Sequence, residues 1–187
     1  MKRNYKFLIS YDGSRYKGWE HQPGAQTVQG KIETVLSKMV YGENYDGPVI
    51  EINGAGRTDG GVHARGMCAN AFFETELSEE EIKDYMNHYL PDDIGIDEVR
   101  IASDRFHARY NATGKTYRYS CYYGEEKPVF ERKFLTVLEE QPDVEKMREA
   151  AEHLTGTHDF LAFCGNASKM KKSTVRTVDS IKINENG

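Results

Sequence analysis

Three features of the sequence predict an α+β fold with antiparallel sheet. Residues 4–12 alternate as a strand does, residues 28–39 and 82–89 carry apolar side chains at helical spacing, and residues 94–101 read as a further strand. A glycine-rich loop lies between two apolar, β-rich runs, residues 48–52 and 67–73. The order is therefore strand, helix, strand, strand, helix, strand, the β-α-β-β-α-β pattern of a ferredoxin-like lobe. A length of 187 residues is long for one small domain and short for two full ones. Two lobes sharing a cleft are expected, residues 1–103 and 104–187.

The first strand runs into Tyr11-Asp-Gly-Ser-Arg-Tyr-Lys-Gly-Trp19, a turn dense in aromatic rings. With Arg15 and Lys17 between them, the rings suit base stacking and phosphate contact; the alternative is that they plug the core. Thr27 opens a helix with Val28, Ile32, Val35, Leu36 and Met39 on its buried stripe, and Gly42 ends it. Residues 53–65 follow, packing Gly54, Gly56, Gly60 and Gly61 around Arg57-Thr58-Asp59. Such a loop holds up one carboxylate, which a nearby Arg can pin for use as a nucleophile; the alternative is an ordinary turn in which Asp59 bonds its own backbone. A dinucleotide fingerprint would need glycine at Asp59, and a phosphate loop ending at residues 114–116 would need glycine at Arg109.

Ser78-Glu-Glu-Glu81 is a capping box, followed by Ile82, Tyr85, Met86 and Tyr89 on the buried face and a stop at Leu90-Pro91. Residues 104–111 form a connector that groups Arg105, His107, Arg109 and Asn111. His107 is a ligand, a base or a hydrogen-bonded filler, with no second ligand at metal spacing. Residues 115–123 read as a strand with Tyr117, Tyr119 and Cys121 on one face. Asp143 caps a helix with Val144, Met147, Ala151 and Leu154 inside, closed by Gly156. His158-Asp159 lacks the nucleophile of a hydrolase and is read as structural. Residues 177–184 form a last strand, and Asn186-Gly187 is a hairpin turn without a return strand, so the chain is expected to be cut there.

Composition narrows the function classes. With 38% hydrophobic and 29% charged residues, the chain is a globular protein rather than a disordered one. No run reaches membrane-spanning length, and the basic N-terminus meets Tyr11-Asp12-Gly13 before a signal-peptide core forms, so a cytoplasmic location is expected. Cys68, Cys121 and Cys164 lack metal or redox spacing and are expected to be reduced. The net charge of -5 argues against sequence-blind nucleic-acid binding. Yet residues 105–118 carry Arg105, Arg109, Lys115 and Arg118, and residues 163–176 carry Lys169, Lys171, Lys172 and Arg176, without one acid. Each stretch is either a phosphate-contacting surface or a solvated one.

Taken together, these residues resemble the TruA family of tRNA pseudouridine synthases. The matching motifs, in order, are Tyr-Asp-Gly-x-x-Tyr-x-Gly-Trp at 11–19, Thr-Val-Gln at 27–29, Gly-Arg-Thr-Asp-Gly-Gly-Val-His-Ala at 56–64, Leu-Pro-x-Asp-Ile at 90–94, Phe-His-Ala-Arg at 106–109, Lys-x-Tyr-x-Tyr at 115–119 and His-Asp-Phe at 158–160. The resemblance implies a pseudouridine synthase fold, two ferredoxin-like (RRM-like) lobes with antiparallel sheets flanking a central active-site cleft, the second lobe incomplete. It implies isomerisation of uridine in the anticodon stem-loop of tRNA by a homodimer, with no metal or organic cofactor. Asp59 corresponds to the nucleophile, Arg57 to the arginine that pairs with it, and Tyr117 to the ring that stacks on the base and helps move its proton. Arg15, Lys17, Arg105, His107, Arg109, Lys169, Lys171 and Lys172 are the candidate RNA contacts. The sequence departs from the family pattern at Gly60, where alanine is usual, at Glu20-His21-Gln22, and in ending before a basic segment that backs the nucleophile. A structured-RNA-binding module without chemistry, or an inactive fragment, is the alternative.

Overall fold

Alternation in the first segment produces β1 (Arg3–Tyr11), which buries Tyr5, Phe7, Ile9 and Tyr11 on one face. The computed structural model describes residues 1–165 and 173–185. β3 (Ala64–Phe73) and β4 (Ile94–Ala102) flank β1, and β2 (Ile52–Gly54) adds an edge, giving the antiparallel order β2-β3-β1-β4. Leu8 pairs with Glu98 but Ile9 with Ile96, so Asp97 is bulged out and Ser10 Oγ donates to its carboxylate at 2.6 Å.

Helices α1 (Val28–Tyr41) and α2 (Glu79–Tyr89) contribute Val28, Ile32 and Leu36, and Ile82 and Met86, to one core with Phe7, Ile9, Ala69 and Ala71. Both start where their side chains satisfy free amides. Thr27 Oγ1 accepts from Gly30 N at 3.2 Å, while Ser78 and Glu81 exchange bonds of 3.3 and 2.8 Å in a capping box, each cap contributing about 1 kcal/mol. Tyr89 lies at the surface, about half exposed, and bonds Glu43 rather than the core. The run at 48–52 yields only the start of β2, because Ile50 N donates to Ser37 Oγ of α1 at 2.7 Å instead of to a strand.

The chain divides into compact units 1–118 and 119–187, later than the expected division at residue 103. Two buried amides explain the difference. Asn4 Nδ2 donates to the carbonyls of Ser103 and Phe106 at 2.9 and 2.8 Å, and Asn70 Oδ1 accepts from Ala108 N at 2.9 Å. The connector is thereby fastened to β1 and β3.

In the second unit Asp143 caps α3 (Val144–Leu154), and β7 (Gly156–Asp159) pairs antiparallel with β8 (Val175–Val178). The expected long strand at 115–123 shortens to β5 (Cys121–Tyr122), which pairs with β6 (Thr136–Val137) in parallel rather than antiparallel fashion. Among its described residues only Ala151 and Thr174 are buried, and Met147, expected inside, is exposed. With so little apolar surface covered, local caps and ladders of two and four residue pairs define this unit in place of a packed sheet. His158 bonds the carbonyl of Thr155, and Asp159 the amide of Leu161 and the hydroxyl of Thr174. Among the described residues no helix is long and apolar enough to cross a membrane.

Candidate active site

The loop between β2 and β3 is held on its inner side by the turn that follows β1. Trp19 N donates to Thr58 O at 3.0 Å, Gly61 N to Tyr16 O at 3.3 Å, and Ala55 N to Cys68 O at 2.7 Å. The hydroxyls of Tyr11 and Thr58 meet at 2.8 Å, and Gly13 N donates to His63 Nδ1 at 3.2 Å. The approach is close enough to require glycine. A Cβ on Gly18, whose φ is +99°, would stand 2.5 Å from Thr58 O, and one on Gly54 would stand 2.7 Å from the Trp19 indole. Tyr11, Tyr16 and Trp19 are 3 or 4% exposed. The aromatic turn is thus the floor beneath the loop, not a stacking surface.

Burial pushes the Tyr11 phenol up, with the Thr58 bond pulling the other way. Tyr16 is pushed up to about 12, first by burial and then by its bond to Asp93. Burial works to raise the Asp93 carboxyl too, but the bonds from Arg15 and Tyr16, both 2.6 Å, outweigh it and hold the group below its ordinary value.

On this base Asp59 is exposed, and its carboxylate has no hydrogen-bond or ion-pair partner among the described residues. Arg57 does not pair with it here. The Trp19–Thr58 bond lays Glu20 beside Arg57, and the two form an exposed ion pair instead. Tyr117 is 69% exposed.

The remaining candidates separate into three groups. Arg57, His107 and Arg109 line one pocket of about 290 Å³ together with Trp19, Glu20 and Lys115. Lys17 runs alongside Gly60, Arg15 is engaged by Asp93, and Arg105 is exposed in the connector. Lys169, Lys171, Lys172 and the Asn186-Gly187 turn lie outside the described residues. Sequence reasoning left Lys115, Glu20 and Tyr110 out of the site. The signal for Lys115 was present, since it belongs to the acid-free stretch 105–118.

The arrangement, a presented carboxylate beside a cationic, partly aromatic pocket, suits nucleophilic work on a polyanion. A family model described as tRNA pseudouridine synthase matches residues 8–111 and 150–187. The chain is 47% identical over 184 residues to tRNA pseudouridine synthase A of Bacillus sp. (strain KSM-64), covering 98% of this chain and 72% of the relative. It is 46% identical over 183 residues to tRNA pseudouridine synthase A 2 of Bacillus anthracis, covering 97% and 72%. The tRNA pseudouridine synthase A 2 of Clostridium perfringens (strain 13 / Type A) is 40% identical over 185 residues, covering 99% and 73%.

Proposed function

The chain belongs to the tRNA pseudouridine synthase family, and on that premise we propose that Asp59 is the nucleophile with which it isomerises uridine in tRNA. The reaction breaks the bond from N1 of uracil to C1′ of the ribose and forms one from C5 to C1′. The C5 proton leaves and N1 gains one, so the product is an isomer and no redox partner is needed. A freed base must be held between the two steps. Tyr117 supplies a ring to stack on and a hydroxyl to pass the proton, and the carboxylate of Asp59 attacks from a loop whose backbone is already fixed. The observation that carries this reading is the exposed Asp59 side chain, without a partner among the described residues, on a backbone pinned at Thr58.

Arg57 is the cation two residues away, and it turns from Glu20 toward Asp59 when RNA arrives. Lys17, Arg105 and Arg109 contact phosphates, His107 contacts the RNA as well, and Arg15 steadies the turn through Asp93 while its exposed guanidinium edge faces solvent. Lys169, Lys171 and Lys172 belong to the same set. We read the β-α-β-β-α-β unit as a ferredoxin-like lobe and the substrate element as the anticodon stem-loop, bound by a cytoplasmic homodimer that needs no metal or organic cofactor; family resemblance supports these last points.

Tritium release from tRNA labelled at uridine C5 tests the proposal. Asp59→Asn should abolish release and leave tRNA affinity nearly unchanged, because the shape is kept and the nucleophile removed. Retained turnover in Asp59→Asn excludes Asp59 as the nucleophile.

A further inference from the structure

The pocket beside the catalytic loop contains more charge than the proposed chemistry uses. Arg109 and Lys115 both line it, and neither has an acid partner among the described residues. Two like charges facing one cavity repel each other, and an anion placed between them converts that cost into attraction. The wall is built to let something approach. Gly56 leaves its Cβ position 2.9 Å from Lys115 Nζ, so any side chain there would push the ammonium aside. At the rim Tyr110 is 79% exposed, its ring 4.3 Å from that of His107 and tilted 42° to it. An exposed tyrosine backed by a half-buried histidine is a stacking platform for a base.

One acid on the wall already sits where an anion belongs. Glu20 holds Arg57 in an ion pair that is exposed on both sides, and among the described residues Glu51 is the only other acid lining the pocket. Exposed pairs of this kind are worth little, so a phosphodiester can replace the carboxylate at small cost. A guanidinium has five N–H donors, which lets Arg57 hold a phosphate and Asp59 together.

We propose that this pocket is the subsite for the nucleotide next to the target uridine. Its phosphate lies between Arg109 and Lys115 and displaces Glu20 from Arg57, while its base packs on Tyr110 and His107. The volume, about 290 Å³, is at the small end for ligand sites and fits one nucleotide rather than a duplex. The proposal rests on the tRNA-isomerising reading and deepens it.

The test measures tRNA affinity across a salt series in the Asp59→Asn background, so that chemistry does not intervene. Arg109→Gln and Lys115→Gln should each weaken binding and reduce the slope of log affinity against log salt by about one. Glu20→Gln should tighten binding by about threefold, because Arg57 is then uncompensated in the free protein. Tyr110→Ala should lose about tenfold in affinity and Tyr110→Phe almost nothing, which separates stacking from any effect of the hydroxyl. Unchanged salt slopes in both cation variants, or unchanged or weaker binding in Glu20→Gln, would overturn the subsite. If the parent chain releases no tritium from tRNA, the isomerase reading itself fails; normal release with unchanged slopes sinks the subsite alone.

Discussion

The hydroxyl of Tyr11 meets that of Thr58 at 2.8 Å, joining the last residue of the central strand to the residue before Asp59. Thr58 is held at its carbonyl as well, by Trp19 N at 3.0 Å, so the backbone that presents the carboxylate has two anchors in the core. Tyr11→Phe keeps the ring and deletes one anchor. Stability should fall by about 1 kcal/mol, and kcat should fall several-fold with KM for tRNA held, since the loss concerns the position of Asp59 and not RNA contact. Steady-state kinetics with a thermal melt checks both, and an unchanged kcat would mean that one anchor suffices.

A second expectation separates steric fit from backbone conformation. A Cβ on Gly13 would collide with the Val62 carbonyl, whereas Gly24, with φ +73°, has nothing within 4 Å of its Cβ position. Gly24→Ala should therefore cost only the strain of positive φ, about 1 kcal/mol. Gly13→Ala has ordinary φ but must move the loop that carries Asp59, and should cost about 3 kcal/mol and most of the activity. Equal melting temperatures for the two variants would refute the distinction.

How much of this was legible beforehand depended on whether a signal was local. The caps at Thr27, Ser78 and Asp143 announce themselves within three residues, because a side chain and an amide that near can only meet one way. β1 was readable from its alternation and β3 from an apolar, β-rich run, whereas the run at 48–52 became only the start of β2. Trp19 was undecided, since a ring that stacks on RNA and one that fills a core look alike until Gly54 is found lying on it. The Glu20–Arg57 pair was invisible because it joins residues 37 apart through a backbone bond that no pattern encodes. In the second unit, helical spacing in α3 predicted burial of Met147, but spacing describes a face and not whether anything covers it.

Tyr117 permits its two proposed roles to be measured apart. Tyr117→Phe should keep tRNA affinity and lower tritium release, because the ring remains and the hydroxyl is gone. Tyr117→Ala should also lose stacking, about 1 to 3 kcal/mol in binding. A fully active Tyr117→Phe would remove the hydroxyl from the chemistry.

The Arg15–Asp93–Tyr16 cluster predicts how the turn beneath the loop responds to pH. The Asp93 carboxyl titrates below its ordinary value, so the native state binds fewer protons there than the unfolded chain. Its contribution is whole above about 3.9, the unfolded value, and is lost as pH falls from there through the lower folded value. Tyr16 has the opposite sign. Its proton is retained up to about 12 in the folded state, so that contribution is whole below the ordinary phenol value of about 10 and is lost as pH rises toward about 12. Melting temperature followed into acid should drop less steeply in Asp93→Asn than in the parent, and into alkali less steeply in Tyr16→Phe. Identical acid limbs for the parent and Asp93→Asn would show that Asp93 is not what couples this turn to pH.

β2, the strand that delivers the chain into the loop carrying Asp59, is held from two sides. Among the described residues β2 has β3 as its one neighbouring strand, and on the other side the side chains of α1 stand in for a strand. Glu33 Oε1 accepts from Ile52 N at 3.1 Å and Gln29 Nε2 donates to Ile52 O at 3.1 Å, so both free backbone groups of Ile52 are satisfied. Glu33 is itself 2% exposed and is fully engaged, by Gln29 at 2.8 Å and by His21 Nδ1 at 3.1 Å. Removing its carboxylate leaves a buried amide with no acceptor, a loss of about 1 to 3 kcal/mol. Glu33→Gln keeps one oxygen for that amide and should lose about half as much. Hydrogen exchange distinguishes this bracket from general loosening. In Glu33→Ala the Ile52 amide should exchange much faster while the amides of β1 keep their protection, and kcat should fall because the loop's entry strand is no longer fixed. Unaltered protection at Ile52 would show that β3 alone holds the strand and that the carboxylate serves only His21 and Gln29.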